Sequence, residues 1–286
     1  MSNLRLMLVW AILFSFAVTT EAQADTLGKI KESGTIVFGY RMASPPFSFV
    51  DQSGKAVGYS IDLCKRIAAA VKDELSLNGI KIDYVPVTAE NRFSMVRQDK
   101  VDIVCGSTTN TLKRRERVAF TLLTFVTGAE MLVRTGSGID RLKDLKGKKV
   151  GVVKGTTTET GLTKALKQQF INAQVVIVKD HYDGLMALED SKIDAYTSDR
   201  IILIGLARKA RDPSKLMLMN QFYSVEPYAL VVRRDDPDFR LIADRTLASL
   251  YRSGRIVEIY RRWLGKIGLP SDLVKALYIL QGIPAE

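Results

Sequence analysis

The chain has 286 residues, enough for one large domain or two modest ones, and its 47% hydrophobic and 26% charged content is that of a folded soluble protein, not a disordered one. The formal net charge of +11 comes from scattered Lys and Arg without aromatic interleaving or a nucleic-acid motif, so it reads as a bias toward anionic ligands and no nucleic-acid partner is expected. Two cysteines, Cys64 and Cys105, and one histidine, His181, offer no metal-ligand spacing, so neither a metal nor a cofactor is expected.

The N-terminus stands apart. Arg5 precedes the apolar run "LMLVWAILFSFAV", and Ala22-Gln23-Ala24 follows as a small-x-small cleavage site. The run is short for a membrane span, which needs about 20 residues. Residues 1–24 therefore read as a signal peptide, with an exported mature chain beginning near Asp25. In an oxidising compartment Cys64 and Cys105 could pair; two buried free thiols fit the sequence equally well.

From residue 35 onward short β-rich runs alternate with amphipathic helical stretches. "TIVFGY" (35–40) predicts a strand. Residues 59–75 predict a helix, with Leu63, Ile67, Val71 and Leu75 on one face and Ser60 or Asp62 as its cap. A strand over 79–87, a short helix within 89–100 and the strand "VDIVCG" (101–106) follow. A long extended run, 125–134, leads to a second set of units. These are a strand ending "VGVV", a helix over 157–170, the strand "QVVIV", a helix over 183–191, the strand "IDAYTS" and a helix over 200–210. A second extended run, 225–234, returns to helices over 237–252 and 254–264. This alternation implies α/β units with mostly parallel sheets. The two extended runs sit at the seams, so the expected architecture is two α/β lobes joined by a two-strand hinge. The first lobe is read as 25–128 with 229–286, and the second as 129–228.

Ligands in open α/β sheets lie beyond the carboxyl ends of the strands. Two hydroxyl clusters fall there: Ser107 and Thr109 after "VDIVCG", and Thr156 and Thr157 after "VGVVKG". Hydroxyls and free N–H groups at a helix N-terminus are donors to a carboxylate. The plainer role for the same residues is helix capping.

In consistent order along the chain stand "PPFSF" (45–49), "GYSIDL" (58–63), "GSTTNTLKRRE" (106–116), "DLKGKKVGVVKGTTTE" (144–159) and "IDAYTSD" (193–199). Together they resemble the solute-binding proteins of polar amino-acid ABC importers, which have the type 2 periplasmic binding fold. "CGSTTN", "ENR" (90–92) and "KDH" (179–181) resemble the glutamate/aspartate-binding branch.

The resemblance implies a role for each polar position. Arg114 would grip the ligand α-carboxylate, as a planar guanidinium does with two parallel hydrogen bonds, with the neighbouring Arg115 as the rival for that role. Asp199 would pair with the ammonium. Arg41, Arg92 and His181 would hold a distal carboxylate, and Phe47 would pack on the ligand's methylenes, with Phe49 and Tyr228 as further aromatic candidates. Ala89 stands where the branch often has Ser, one donor fewer. The implied function is capture of L-glutamate or L-aspartate in the periplasm by a monomer, with delivery to the membrane subunits of an ABC permease. No residue is expected to be catalytic. The alternatives are a periplasmic enzyme of the same fold, like the cyclohexadienyl dehydratases, and a binding protein for another polar amino acid such as glutamine.

Overall fold

The computed structural model describes residues 25–285, so the leader read over 1–24 lies outside the described residues. The first lobe opens with helix α1 (Thr26–Ser33) and strand β1 (Thr35–Tyr40), whose Ile36 and Phe38 are fully buried. Short strands β2 (Ala43–Ser44), β3 (Ser48–Val50) and β4 (Ala56–Val57) form a small antiparallel sheet beside it. Helix α2 (Tyr59–Glu74) follows, and its buried Leu63, Ile67 and Val71 recur every four residues along one face. Neither Ser60 nor Asp62 caps it: Gly58 occupies the N-cap. Ser60 instead donates to the carbonyl of Gly106 at 3.1 Å, and Asp62 accepts from Arg262 and Trp263, each at 2.8 Å.

Strand β5 (Lys81–Pro86), helix α3 (Arg92–Arg97) and strand β6 (Ile103–Thr109) complete two parallel crossovers, with β5 and β6 on either side of β1. The strand carrying the first hydroxyl cluster is longer than its apolar core suggests. It runs through Ser107 and Thr108 to Thr109, so these residues are part of the strand and do not follow it. Pairing causes the extension, because Thr108 and Thr109 lie opposite Ala229 and Tyr228 of a later strand.

Helix α4 (Leu112–Arg115) leads into β7 (Ala119–Arg134), 16 residues long. The second lobe contains β8 (Lys149–Val153), α5 (Thr157–Gln168), β9 (Gln174–Val178), α6 (His181–Glu189), β10 (Ala195–Asp199), α7 (Arg200–Ala207) and β11 (Leu216–Leu218). Its core lies between sheet and α5, where Val150, Val152, Leu162 and Leu166 are buried together. Strand β12 (Ser224–Val232) then pairs antiparallel with β7 from Ser224↔Ala129 to Val232↔Ala119. Among the described residues the large sheet runs β5-β1-β6-β12-β7-β10-β8-β9, with β11 also on β7. The two long antiparallel strands, β7 and β12, therefore pass from one half of the sheet to the other, as the two extended runs predicted.

Helices α8 (Pro237–Arg252) and α9 (Ile256–Leu264) return to the first lobe and pack on α2. The C-terminal stretch, which carries no clear periodic signal, forms α10 (Asp272–Gln281). It buries Val274, Leu277 and Tyr278, and the Tyr278 hydroxyl meets that of Tyr59 at 2.9 Å. Cys64 of α2 and Cys105 of β6 are bonded. Closing the intervening loop, a sequence separation of 41, stabilises the fold by about 4 kcal/mol through lost unfolded-state entropy. It also pins the strand that carries Ser107 and Thr109.

Candidate functional site

A cavity between the lobes is lined by Arg41, Arg92, Ser107, Thr109 and Arg114 from the first half of the chain. Thr156, Thr157, His181 and Asp199, with Thr158 and Ser198, line it from the second. None of the three aromatic candidates lines it: Phe49 packs edge-on against Trp263 at 5.9 Å between ring centres, Tyr228 is fully buried with only its hydroxyl reaching Asp199, and Phe47 lies in the core. Phe47 is fully buried in an aromatic cluster with Tyr59, Phe125 and Tyr228, edge-on to each at 5.1–5.8 Å between ring centres. The apolar neighbours on three sides draw the ring into the core and away from the polar cleft.

The lobes are shut on this cavity, which has about 20 Å³ of free space. The Gly155 carbonyl accepts from Arg92 Nη2 at 3.4 Å and Arg114 Nη2 at 3.5 Å, and Lys154 pairs with Glu90 at 3.0 Å. Gly155 has φ of +77°, and a Cβ there would press on the Ala89 carbonyl and on Glu90. Only glycine lets the second-lobe loop approach the first this closely. A larger groove of about 420 Å³ lies behind the hinge, lined by apolar side chains such as Phe222, Val225, Leu269 and Leu273. Its charged residue, Arg200, is already paired with Glu130 at 3.0 Å. The chemistry converges in the small cavity, not in this groove.

Three guanidinium groups face the cavity, and among the described residues none of them forms an ion pair. Arg92 is the most confined. It lies over the Phe93 ring at 4.4 Å, donates to the Ala89 carbonyl, and keeps a buried Nε that lacks a partner among the described residues. Burial, and then the positive charges of Arg114 and Arg41, push its pKa well below the ordinary guanidinium value. Arg114 approaches the same ring at 5.4 Å and donates to the Thr109 carbonyl at 2.8 Å. Burial lowers its pKa, opposed by Glu226 and Asp199. Arg41 is buried too, its pKa lowered by desolvation.

His181 begins α6 and is buried. Burial, and then the Arg41 charge, lower its pKa to about 3, so the ring is neutral near pH 7. Its Nδ1 meets the Tyr196 hydroxyl at 2.6 Å and the Ser198 hydroxyl at 3.4 Å. In the tautomer where Tyr196 donates to Nδ1, the Nε2–H is a donor to a carboxylate. The ring of Tyr196 reaches this place because Gly184 has no side chain; a Cβ there would lie 2.2 Å from it.

Asp199 is the residue before α7, yet its side chain does not cap that helix. Its carboxylate accepts from Thr158 at 3.1 Å and from Tyr228. Burial first, and then the neighbouring Glu226, raise its pKa to about 7. The two threonines at the start of α5 divide the roles left open by sequence. Thr156 caps the helix, accepting from Glu159 N at 3.1 Å and donating to Val153 O at 2.7 Å. Thr157 donates to Glu226 at 2.6 Å. Thr158, Ser198, Tyr196 and Glu226 were not singled out from the sequence. Thr158 and Ser198 adjoin residues that were. Glu226 is a lone acid within the extended run "SVEPYALVV", a placement that ordinarily means an exposed strand face.

Fold and site together define a hinged two-lobe binding protein with a charge-lined cleft for a small polar ligand. The chain belongs to family 3 of the bacterial extracellular solute-binding proteins, whose family model matches residues 36–266. It is 36% identical over 252 residues to the glutamate/aspartate import solute-binding protein of Salmonella typhimurium, covering 88% of this chain and 83% of that protein. It is 37% identical over 254 residues to the L-glutamate/L-aspartate-binding protein of Pseudomonas aeruginosa, covering 88% and 84%. Among solved structures, a cysteine-binding protein from Campylobacter jejuni superposes with a TM-score of 0.76 at 27% identity, over 88% of this chain and 97% of that one.

Proposed function

We propose that the protein captures L-glutamate or L-aspartate in the cleft and hands it to an ABC permease. The observation that carries this is the charge of the site. Above pH 7, where Asp199 is ionised, Arg41, Arg92 and Arg114 bring three positive charges, Asp199 and the adjoining Glu226 bring two negative ones, and His181 is neutral. One positive charge is left over, and an acidic amino acid brings one net negative charge. An amide ligand would leave a buried cation uncompensated and a basic ligand would leave two, each costing several kcal/mol. Arg114 takes the α-carboxylate, Asp199 the ammonium, and Arg41, Arg92 and His181 the distal carboxylate. The names of the Salmonella and Pseudomonas relatives support the same ligand class. Residues 1–24 act as a signal peptide for export to the periplasm. The working unit is a monomer, since one chain encloses the cleft. Its lobes divide at 128/129 and 228/229.

The role is binding without catalysis. A histidine whose pKa is about 3 is too weak a base to take up a proton near neutrality. Ligand binding favours the closed state, because closure completes the contacts from both lobes.

Binding is expected to depend on pH through Asp199. Glu226 and Tyr228 of β12, Tyr223, Tyr196 of β10 and Arg114 of α4 surround its carboxyl. With a pKa raised to about 7, the acid is increasingly protonated as pH falls below that value. A ligand ammonium requires the ionised form. Glutamate affinity measured by calorimetry from pH 8 to pH 5 should therefore fall, approaching tenfold per unit below pH 7, with proton release on binding. The absence of glutamate binding at pH 8 would refute the proposed ligand. A pH-independent affinity would remove Asp199 as the ammonium partner.

A further inference from the structure

Glu226 lies on the hinge strand β12 and is 1% exposed. Among the described residues no cation forms an ion pair with it. Three hydroxyls hold the carboxylate. Ser224 donates to Oε1 at 2.5 Å, while Thr109 and Thr157 both donate to Oε2 at 2.6 Å. Thr109 ends β6 in the first lobe and Thr157 begins α5 in the second, so one carboxylate oxygen joins the two walls of the cleft. A hydroxyl has one proton to give. With those protons directed at Glu226, the Thr109 and Thr157 oxygens offer lone pairs to the cleft. This reverses the donor role that their sequence positions suggest and makes them acceptors for an ammonium.

The charge of Glu226 is felt in the site from both sides. It favours the Arg114 cation and opposes ionisation of Asp199. A buried carboxylate without a counter-charge persists only where something compensates it. Arg114 supplies part of that compensation without forming an ion pair, and a ligand ammonium in the cleft would supply the rest.

We propose that Glu226 determines the charge class of the ligand: held between the lobes behind the cleft, its carboxylate makes the site select a dicarboxylate that carries an ammonium over one that does not. This rests on the acidic amino-acid reading of the same site. Counted with Glu226, the site carries one positive charge and matches an amino dicarboxylate. Counted without it, the site carries two and matches a plain dicarboxylate such as glutarate, which has the length of glutamate and no amino group.

The test is calorimetry with L-glutamate and glutarate on the wild-type protein, Glu226→Gln and Ser224→Ala. Glutamine at 226 keeps an oxygen for the two threonine hydroxyls and removes the charge. The wild type is expected to prefer glutamate by about 100-fold or more. Glu226→Gln is expected to weaken glutamate about tenfold or more while tightening glutarate, so that the preference collapses. Ser224→Ala, which withdraws one hydrogen bond from the carboxylate, should move both affinities a few-fold in the same directions; it decides the question if Glu226→Gln does not fold. Equal weakening of both ligands, or an unchanged ratio, would mean that Glu226 only braces the hinge, and would overturn the proposal while leaving the acidic ligand class intact. A wild type that binds neither acid would overturn both.

Discussion

Arg92→Met is expected to give a ligand-free protein that melts higher than the wild type and has lost about 10²–10³-fold in glutamate affinity. The two effects share a cause. Arg92 is 3% exposed, its Nε lacks a partner among the described residues, and Arg114 and Arg41 repel it. Replacing an uncompensated buried charge by an apolar side chain of similar size is often stabilising, by about 1–4 kcal/mol. The distal carboxylate of the ligand supplies the missing counter-charge. Removing the cation leaves that carboxylate buried and underpaired, which costs about 3–5 kcal/mol. Glutamine, with no distal charge, should lose far less. Thermal melting and calorimetry on the same preparation read both halves. If glutamate and glutamine weaken equally, Arg92 does not hold the distal group. If the ligand-free variant melts lower, the carbonyl contacts and the Phe93 face matter more to stability than the unpaired charge.

Asp199→Asn is expected to weaken glutamate about 100-fold and to remove the pH dependence below pH 7. The asparagine oxygen still accepts from Thr158 or Tyr228, so the local frame should survive. What disappears is the charge opposite the ammonium and the proton that competes with it. A variant that binds weakly at pH 8 and equally weakly at pH 5 fits this account. A variant that keeps the wild-type pH slope would place the titrating group elsewhere.

Local pattern placed strand ends and turns in the sequence, while the roles of Arg41, Arg92, Arg114, His181 and Asp199 were legible only through the family resemblance. Arg41 follows a strand of strong β propensity, Thr156 and Thr157 stand at a strand-to-helix turn, and Asp199 ends a buried strand. Period-2 and helical spacing locate such elements to within a few residues. The long extended runs were equally plain, and with them the hinge. Glu226 was hidden because two of its partners, Thr109 and Thr157, are distant in the chain and stand on opposite walls of the cleft. Phe47 illustrates the converse. The resemblance carried by "PPFSF" implies a place on the ligand, but Tyr59, Phe125 and Tyr228 surround the ring in the core. Helix α10 was illegible because only Val274, Leu277 and Tyr278 of its ten residues are buried, while Leu273, Ile279 and Leu280 are exposed. An apolar face turned to solvent blurs the periodic signal.

The most direct test of the charge-matched cleft is titration calorimetry at pH 8 on mature protein, unfolded and refolded to remove any carried ligand. The titrants are glutamate, aspartate, glutamine, asparagine and arginine. The account predicts micromolar or tighter binding for one or both acids, and amides and arginine weaker by about 100-fold or more. Tight binding of an amide or of arginine would show that Arg41, Arg92 and His181 do not converge on a ligand carboxylate. The two-lobe fold would stand, and the assignment of an acidic amino acid would not.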